Sequence, residues 1–284
     1  MDAQTKGFVM KRVSRFFGYT ILILTALVLM SPVFFMVVSS VKVDAEYLSY
    51  PIRVFPKIPQ WLNYNLVFSM TPFAKIAVRT GLLAISTAMI TTFISSMVGY
   101  GFARYRNVPG NKQLFWLVIA MMIVPFIVIL IPQFMLYSKL KLTNSYWPWY
   151  LGALGGAPFY IFMFRQFFLG FPKELEDAAE VDGCGPFRIY WQIFLPNAKP
   201  VIATVMIFAF NNVWGDYLMP LIYLSSKKTL LGVALASAFK NPQGFDMKTV
   251  SLAAGVVYVL PLILIFFIFQ KNILKGVVTS GLKG

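Results

Sequence analysis

The sequence predicts an all-α membrane protein built on six transmembrane helices. Three observations predict it. Hydrophobic residues make up 58% of the chain and the mean hydropathy is +0.72. Charged residues contribute only 12%, about half the share found in a soluble domain. The apolar residues gather into six long runs almost free of charge, each near the ~20 residues a helix needs to cross a bilayer. Membrane barrel strands would instead alternate polar and apolar residues over about ten positions.

The first expected span covers residues 16–41 and follows a basic lead of Lys6, Lys11, Arg12 and Arg15. Its apolar core is too long for a secretory signal, and no small-x-small cleavage site closes it, so it reads as a retained anchor. The next spans are 80–103, 113–138 and 142–164. The fifth, 200–226, is interrupted only by Asp216, and the sixth covers 249–270. Together they form a single membrane domain over 1–284, with both termini on one side. Lys and Arg in the short 104–112 connection favour a cytoplasmic N-terminus, whereas the basic residues of the long 42–79 loop weigh less.

Several function classes are excluded. The net charge of +15 suggests nucleic acid, but the Lys and Arg residues flank apolar runs, where topology-setting and headgroup-facing charges belong. The chain has no histidine and a single cysteine, Cys184. Histidine-based acid–base catalysis, an internal disulfide and the usual zinc sites are therefore missing. No Gly-x4-Gly-Lys-[Ser/Thr] loop occurs to cradle a phosphate. The chain reads as a non-enzyme whose energy comes from an ion gradient or from a partner.

One polar block stands out. Five of the ten acidic residues (Glu174, Glu176, Asp177, Glu180 and Asp182) fall within 174–182, in the 165–199 connection. Pro172 is placed to open a helix there, with acids in its first turns opposing the helix dipole. Gly183 and Gly185 permit a change of direction. Pro186 opens a second short helix, which Leu195 and Pro196 close before the fifth span.

The run Asp177-Ala178-Ala179-x3-Gly183-x9-Ile193-x-Leu195-Pro196 resembles the EAA loop of ATP-binding-cassette importer permeases. Their pattern is Glu-Ala-Ala-x3-Gly-x9-Ile-x-Leu-Pro, and only Asp177 departs from it. Three further stretches resemble the MalG-like, carbohydrate-importing branch: Gly99 to Tyr105 at the end of the second span, Arg165 to Phe168 before the loop, and Trp214 to Leu221 in the fifth span. Gly215 and Asp216 depart from the pattern of the last of these. The closing segment, Phe269 to Gly284, is also similar.

The resemblance implies a type I importer permease fold with a cytoplasmic coupling loop at 171–196. It implies ATPase coupling through Glu176, Asp177, Ala178, Ala179, Glu180, Asp182, Gly183, Ile193, Leu195 and Pro196. It further implies a second permease subunit, two ATPase subunits that bind the ATP and magnesium, and an external binding protein contacting the 42–79 and 227–248 loops. No cofactor is expected in this chain itself. The expected location is the cytoplasmic (inner) membrane, in contact with lipid.

Within the fifth span, Asn211, Asn212, Trp214, Asp216 and Tyr217 form a polar and aromatic group suited to line a solute path. On an unbroken helix Asn212 and Asp216 would share a face. Helix–helix hydrogen bonding and snorkelling of Asp216 to the interface are the plainer uses of the same residues. Asp216 could also serve an ion-coupled secondary transporter, and a membrane-embedded enzyme is a third class with little chemistry to support it. Pro125, Pro132, Pro158 and Pro261 are expected to kink helices. Gly152, Ala153, Gly155 and Gly156 are expected to pack closely against a neighbour.

Overall fold

The computed structural model describes the backbone of residues 3–281 and the side chains of residues 15–270. The side chains of Lys6, Lys11 and Arg12, and most of the closing segment to Gly284, lie outside the described residues. The chain runs α1 (Ala3–Ser40), α2 (Asp44–Tyr47), α3 (Leu62–Met70), α4 (Phe73–Arg104), α5 (Asn111–Met121) and α6 (Phe126–Lys139). It continues through α7 (Trp147–Leu154), α8 (Pro158–Leu169), α9 (Glu174–Val181), α10 (Pro186–Ile189), a π-helical turn (Tyr190–Phe194) and α11 (Leu195–Asn197). It ends with α12 (Lys199–Trp214), α13 (Leu218–Tyr223), a 3-10 turn (Ser226–Lys228), α14 (Leu231–Ser237) and α15 (Lys248–Gly281). The only β pairing among the described residues is an isolated bridge between Lys240 and Asp246.

Among the described residues, three stretches of continuous helix are long and apolar enough to cross a membrane: Arg15–Ser40, Phe73–Arg104 and Lys248–Gln270. They overlap the first, second and sixth expected stretches. The α4 helix starts ahead of the expected 80 because Lys75 and Arg79 extend it beyond its charge-free stretch. The third expected span is two helices, α5 and α6, bent by 97° at a short break. Pro125 is the cause: it stands ahead of α6 with no N–H to donate and disfavours helical backbone at the residue before it. Pro132 sits inside α6. The fourth is split into α7 and α8 at Gly155–Gly156, with Pro158 opening the second piece.

The chain divides into two compact units. One comprises residues 1–71 and 239–259, and buried polar side chains organise its loops. Asn63 Nδ2 donates to the carbonyls of Ser40 and Lys42, both at 2.8 Å. Lys42, only 1% exposed, donates to the Arg53 carbonyl at 2.6 Å and lies over the Phe35 ring. Asp44 Oδ1 accepts from the Thr249 N–H at 2.8 Å and from its hydroxyl at 2.9 Å. An otherwise unpaired donor in the first turn of α15 is thereby satisfied by a carboxylate, where the helix dipole favours negative charge. Asp44→Ala is expected to cost about 1–2 kcal/mol of stability, read as a lower thermal midpoint in detergent, with Asp44→Asn costing less.

The other unit comprises residues 72–238 and 260–284. Within it α4 is the central strut, packed by α7, α8 and α12. Most residues of its buried face are small (Thr80, Ala84, Thr87, Ala88, Ser95, Ser96 and Gly99 among them), which lets neighbouring backbones come close. Among the glycines of α4 the tightest approach is at Gly99, where an added Cβ would stand 2.6 Å from Phe164 Cβ. Of the glycines expected to pack in the fourth span, Gly156 does so, beside Ser95 and Ile94 at a φ of +67°. Gly152 has open space around it.

Candidate functional site

The acidic block folds as its residue types dictate. Helix α9 opens with Glu174, Glu176 and Asp177 in its first turn, where their charge opposes the helix dipole. Pro172 and Lys173 precede the helix, and the Lys173 carbonyl accepts from the N–H groups of Glu176 and Asp177. The helix ends in a Schellman motif. Gly183 takes a φ of +77°, its N–H bonds the Glu180 carbonyl, and the Cys184 N–H reaches back to the Ala179 carbonyl, both at 2.9 Å. Cys184 is free and packs against the apolar cluster that contains Ala179. Gly185 and Pro186 then start α10, with proline in the first turn where no N–H is required.

A π-helical turn follows, closed by the Leu195 N–H bonding the Tyr190 carbonyl. Pro196 accounts for it. Its ring crowds the carbonyl four residues earlier, and a wider turn relieves that contact. Asn197 Nδ2 occupies the Ile193 carbonyl at 2.7 Å. The path from 186 to 197 then bends by 80° into α12.

The loop has two faces. The inner face packs Ala179, Ile189, Tyr190, Phe194 and Ala198 with Tyr100 and Ala103 of α4 and Phe164 and Phe168 of α8. Tyr190 shares a 2.7 Å hydroxyl–hydroxyl bond with Ser96. Tyr100 stands edge-on to Phe168 and Phe194 and donates to the Pro186 carbonyl at 3.5 Å. Glu176 also turns inward. Its Oε2 lies 3.1 Å from Arg104 Nε, with side chains 13% and 8% exposed. The approach lies off the N–H direction, so the two attract as charges rather than through an aligned hydrogen bond.

The outer face carries Leu175, Ala178, Val181 and Asp182, spaced three or four apart and exposed, with Val181 88% exposed. Asp177 and Glu180 are exposed beside them. Asp177 makes only a loose pair with Lys173 at 3.9 Å, a type worth at most about 0.5 kcal/mol. Phe187 and Trp191 stack on each other at 6.3 Å and remain exposed. Of the residues expected in the coupling set, Asp177, Ala178, Glu180, Asp182, Gly183 and Pro196 are exposed. Glu176, Ile193 and Leu195 are half-buried, and Ala179 is buried. Sequence reasoning placed Arg104 in a motif but gave it no part in this site. The signal was its position as the last residue of a spanning helix, where a charge needs a partner.

The fifth-span group is arranged differently from the expected single stripe. Helix α12 ends at Trp214 and Gly215 caps it, so Asn212 and Asp216 do not share one helical face. Asp216 sits in the break before α13. Its carboxylate accepts from the Trp149 indole N–H at 3.0 Å and from the Met219 N–H at 3.2 Å. Trp214 is buried and stacks on Phe210. Asn211, Asn212 and Tyr217 are exposed.

Residues 92–279 match the family described as the binding-protein-dependent transport system inner membrane component. The chain is 34% identical over 264 residues to the arabinooligosaccharides transport system permease protein AraQ of Bacillus subtilis (strain 168), covering 91% of this chain and 92% of that protein. It is 32% identical over 227 residues to the maltodextrin transport system permease protein MdxG of the same organism, covering 78% and 80%. Among solved structures, a bacterial ABC transporter involved in import of the acidic polysaccharide alginate contains a chain with a TM-score of 0.75 and 20% identity. That match covers 93% of this chain and 98% of the other, and speaks for the fold. The matched region takes in the end of α4, the two-faced loop and the broken fifth span, and the chain belongs to the binding-protein-dependent transport system inner membrane component family, as a non-enzymatic permease subunit of an ABC importer.

Proposed function

We propose that this permease carries carbohydrate inward and that its 171–196 loop docks on an ATP-hydrolysing partner. The observation that carries the docking is the two-faced loop itself. Its spacing from Asp177 to Pro196 fits the EAA pattern, its inner face is fixed to α4 and α8, and its outer ridge of Leu175, Ala178, Val181 and Asp182 is unoccupied in this chain. Small and apolar side chains there let a partner groove approach the α9 backbone. Asp177 and Glu180 supply charge for it to recognise. The carbohydrate assignment draws on relatives named for arabinooligosaccharide and maltodextrin transport.

In this reading both termini are cytoplasmic. The transporter contains a second permease and two ATPase subunits, which hold ATP and magnesium, and an external binding protein delivers solute to the 42–79 and 227–248 loops. Closure of the ATPase subunits displaces α9, and the helices alternate the side to which the path opens. Asn211, Asn212 and Tyr217 line that path. Asp216 and Trp214 stand behind them as support, because the Asp216 carboxylate is already engaged by Trp149 and Met219.

Vesicles containing the assembled transporter and its binding protein test this. Uptake of labelled oligosaccharide is expected to require ATP and to persist when a protonophore and a sodium ionophore dissipate ion gradients. Uptake that collapses with the gradients while ATP is held constant would return Asp216 to the role of a coupling carboxylate. Failure of every arabino- and maltooligosaccharide to be taken up or to compete would remove the carbohydrate assignment.

A further inference from the structure

We propose that Arg104 is a positioning residue that locks the docking loop to α4, so that displacement of α9 by a partner reaches the membrane helix. The proposal rests on the docking reading above. Three side chains on one face of α4, four residues apart, hold the loop at three points. Ser96 bonds the Tyr190 hydroxyl, Tyr100 reaches the Pro186 carbonyl, and Arg104 pairs with Glu176.

Arg104 differs from the other two because it touches the loop before, within and after α9. Its Nη2 approaches the carbonyls of Phe171 at 3.4 Å and Pro172 at 3.5 Å. Its Nε meets Glu176 inside α9. Its guanidinium lies 4.6 Å from the centroid of the Phe194 ring, in the π-helical turn. A planar, permanently charged group with several donors suits this combination of stacking and pairing, whereas a lysine would supply only the charge. With both side chains largely shielded from water, salt screens the attraction poorly. A push on α9 is therefore passed to the last turn of α4 with little slack, while without the ion pair α9 can tilt on the hinge at Pro172 and leave α4 behind.

The test uses the whole transporter in vesicles with its binding protein. Arg104→Gln, Glu176→Gln, Arg104→Lys and the reversed pair Arg104→Glu/Glu176→Arg are compared for ATPase subunits retained on the membrane, ATP hydrolysed and solute taken up. Arg104→Gln is expected to retain its ATPase subunits and to hydrolyse ATP within about two-fold of the parent. Uptake per ATP is expected to fall about ten-fold, as for loss of one strongly coupled pair. Arg104→Lys should fall between, and the reversed pair should recover several-fold over either single variant.

Unchanged uptake per ATP in Arg104→Gln would overturn the proposal. So would a reversed pair no better than the singles, or a parallel loss of ATPase subunits, hydrolysis and uptake, which would make the pair a brace for the docking face. Failure of the docking reading itself looks different: Gly183→Asp would then keep both its ATPase subunits and its uptake, whatever Arg104→Gln does.

Discussion

Ala179→Asp and Gly183→Asp are each expected to abolish solute uptake and to release the ATPase subunits from the membrane, for two different physical reasons. Ala179 is 6% exposed and sits in the apolar cluster with Phe194, Phe168 and Tyr190. An aspartate there would bury a charge with no partner, at a cost of several kcal/mol. The inner face would separate from α4 and α8 and the outer ridge would lose its register. Gly183 has open space where a Cβ would go, so packing does not forbid a side chain. Its φ of +77° does impose strain, about 1–2 kcal/mol for an L-residue in the left-handed region and less for aspartate than for most. Gly183→Asp therefore leaves most of the loop standing and adds bulk and charge at the docking edge. Co-purification of the ATPase subunits with membranes, measured beside uptake, reads the shared loss, and protease separates the two causes: Ala179→Asp should expose the loop to cleavage, and Gly183→Asp should not. Normal uptake in both variants would end the assignment of this loop as the coupling element.

The loop was the most legible part of the chain, because its information is local. A Schellman ending needs a glycine at one position, and the sequence shows Gly183 there. A proline-opened short helix needs Pro186, and it forms. What the sequence did not reveal is which acid faces inward. Five carboxylates lie within 174–182, and their spacing alone does not say which side of α9 meets α4. The entry at Pro172–Lys173 sets that phase, and Glu176 with Ala179, three residues apart, becomes the inner edge. Arg104 lies far away in sequence, so only the folded contact identifies it as the partner.

The spans show the same division. Charge-free length located the helical regions but did not mark their breaks. Pro125, Gly156 and Gly215 interrupt three of the runs at full hydrophobicity, and polar groups of the freed backbone are met locally. Ser95 Oγ takes the Ala157 N–H at 3.1 Å, and Asp216 takes that of Met219. The expectation that Asn212 and Asp216 share a face failed because it assumed an unbroken helix through Gly215.

Gly99→Val is expected to remove most of the folded protein, while Gly101→Ala two residues away is expected to be nearly silent. At Gly99 a Cβ would stand 2.6 Å from Phe164 Cβ, 3.0 Å from the Arg165 nitrogen and 3.0 Å from the Ile161 carbonyl oxygen. None of these is the free end of a side chain that could swing away. Phe164 Cβ is fixed to its backbone, and the other two are backbone atoms of α8. Relief therefore requires α4 and α8 to separate, and these two helices share the most extensive packing in their unit. Separation would open the cluster of Tyr100, Phe164, Phe168 and Phe194 on which the docking loop rests. Overpacking of a rigid site costs about 1–3 kcal/mol for a modest enlargement, and a branched side chain against backbone lies at or beyond the upper end. Gly101 has nothing within 4 Å of its Cβ position, and alanine there gains up to about 1 kcal/mol of helix preference. Detergent-solubilised yield and thermal midpoint read the contrast directly. Equal stability of the two variants would mean that α4 and α8 do not meet at Gly99, and the support proposed for the loop would fall with that contact.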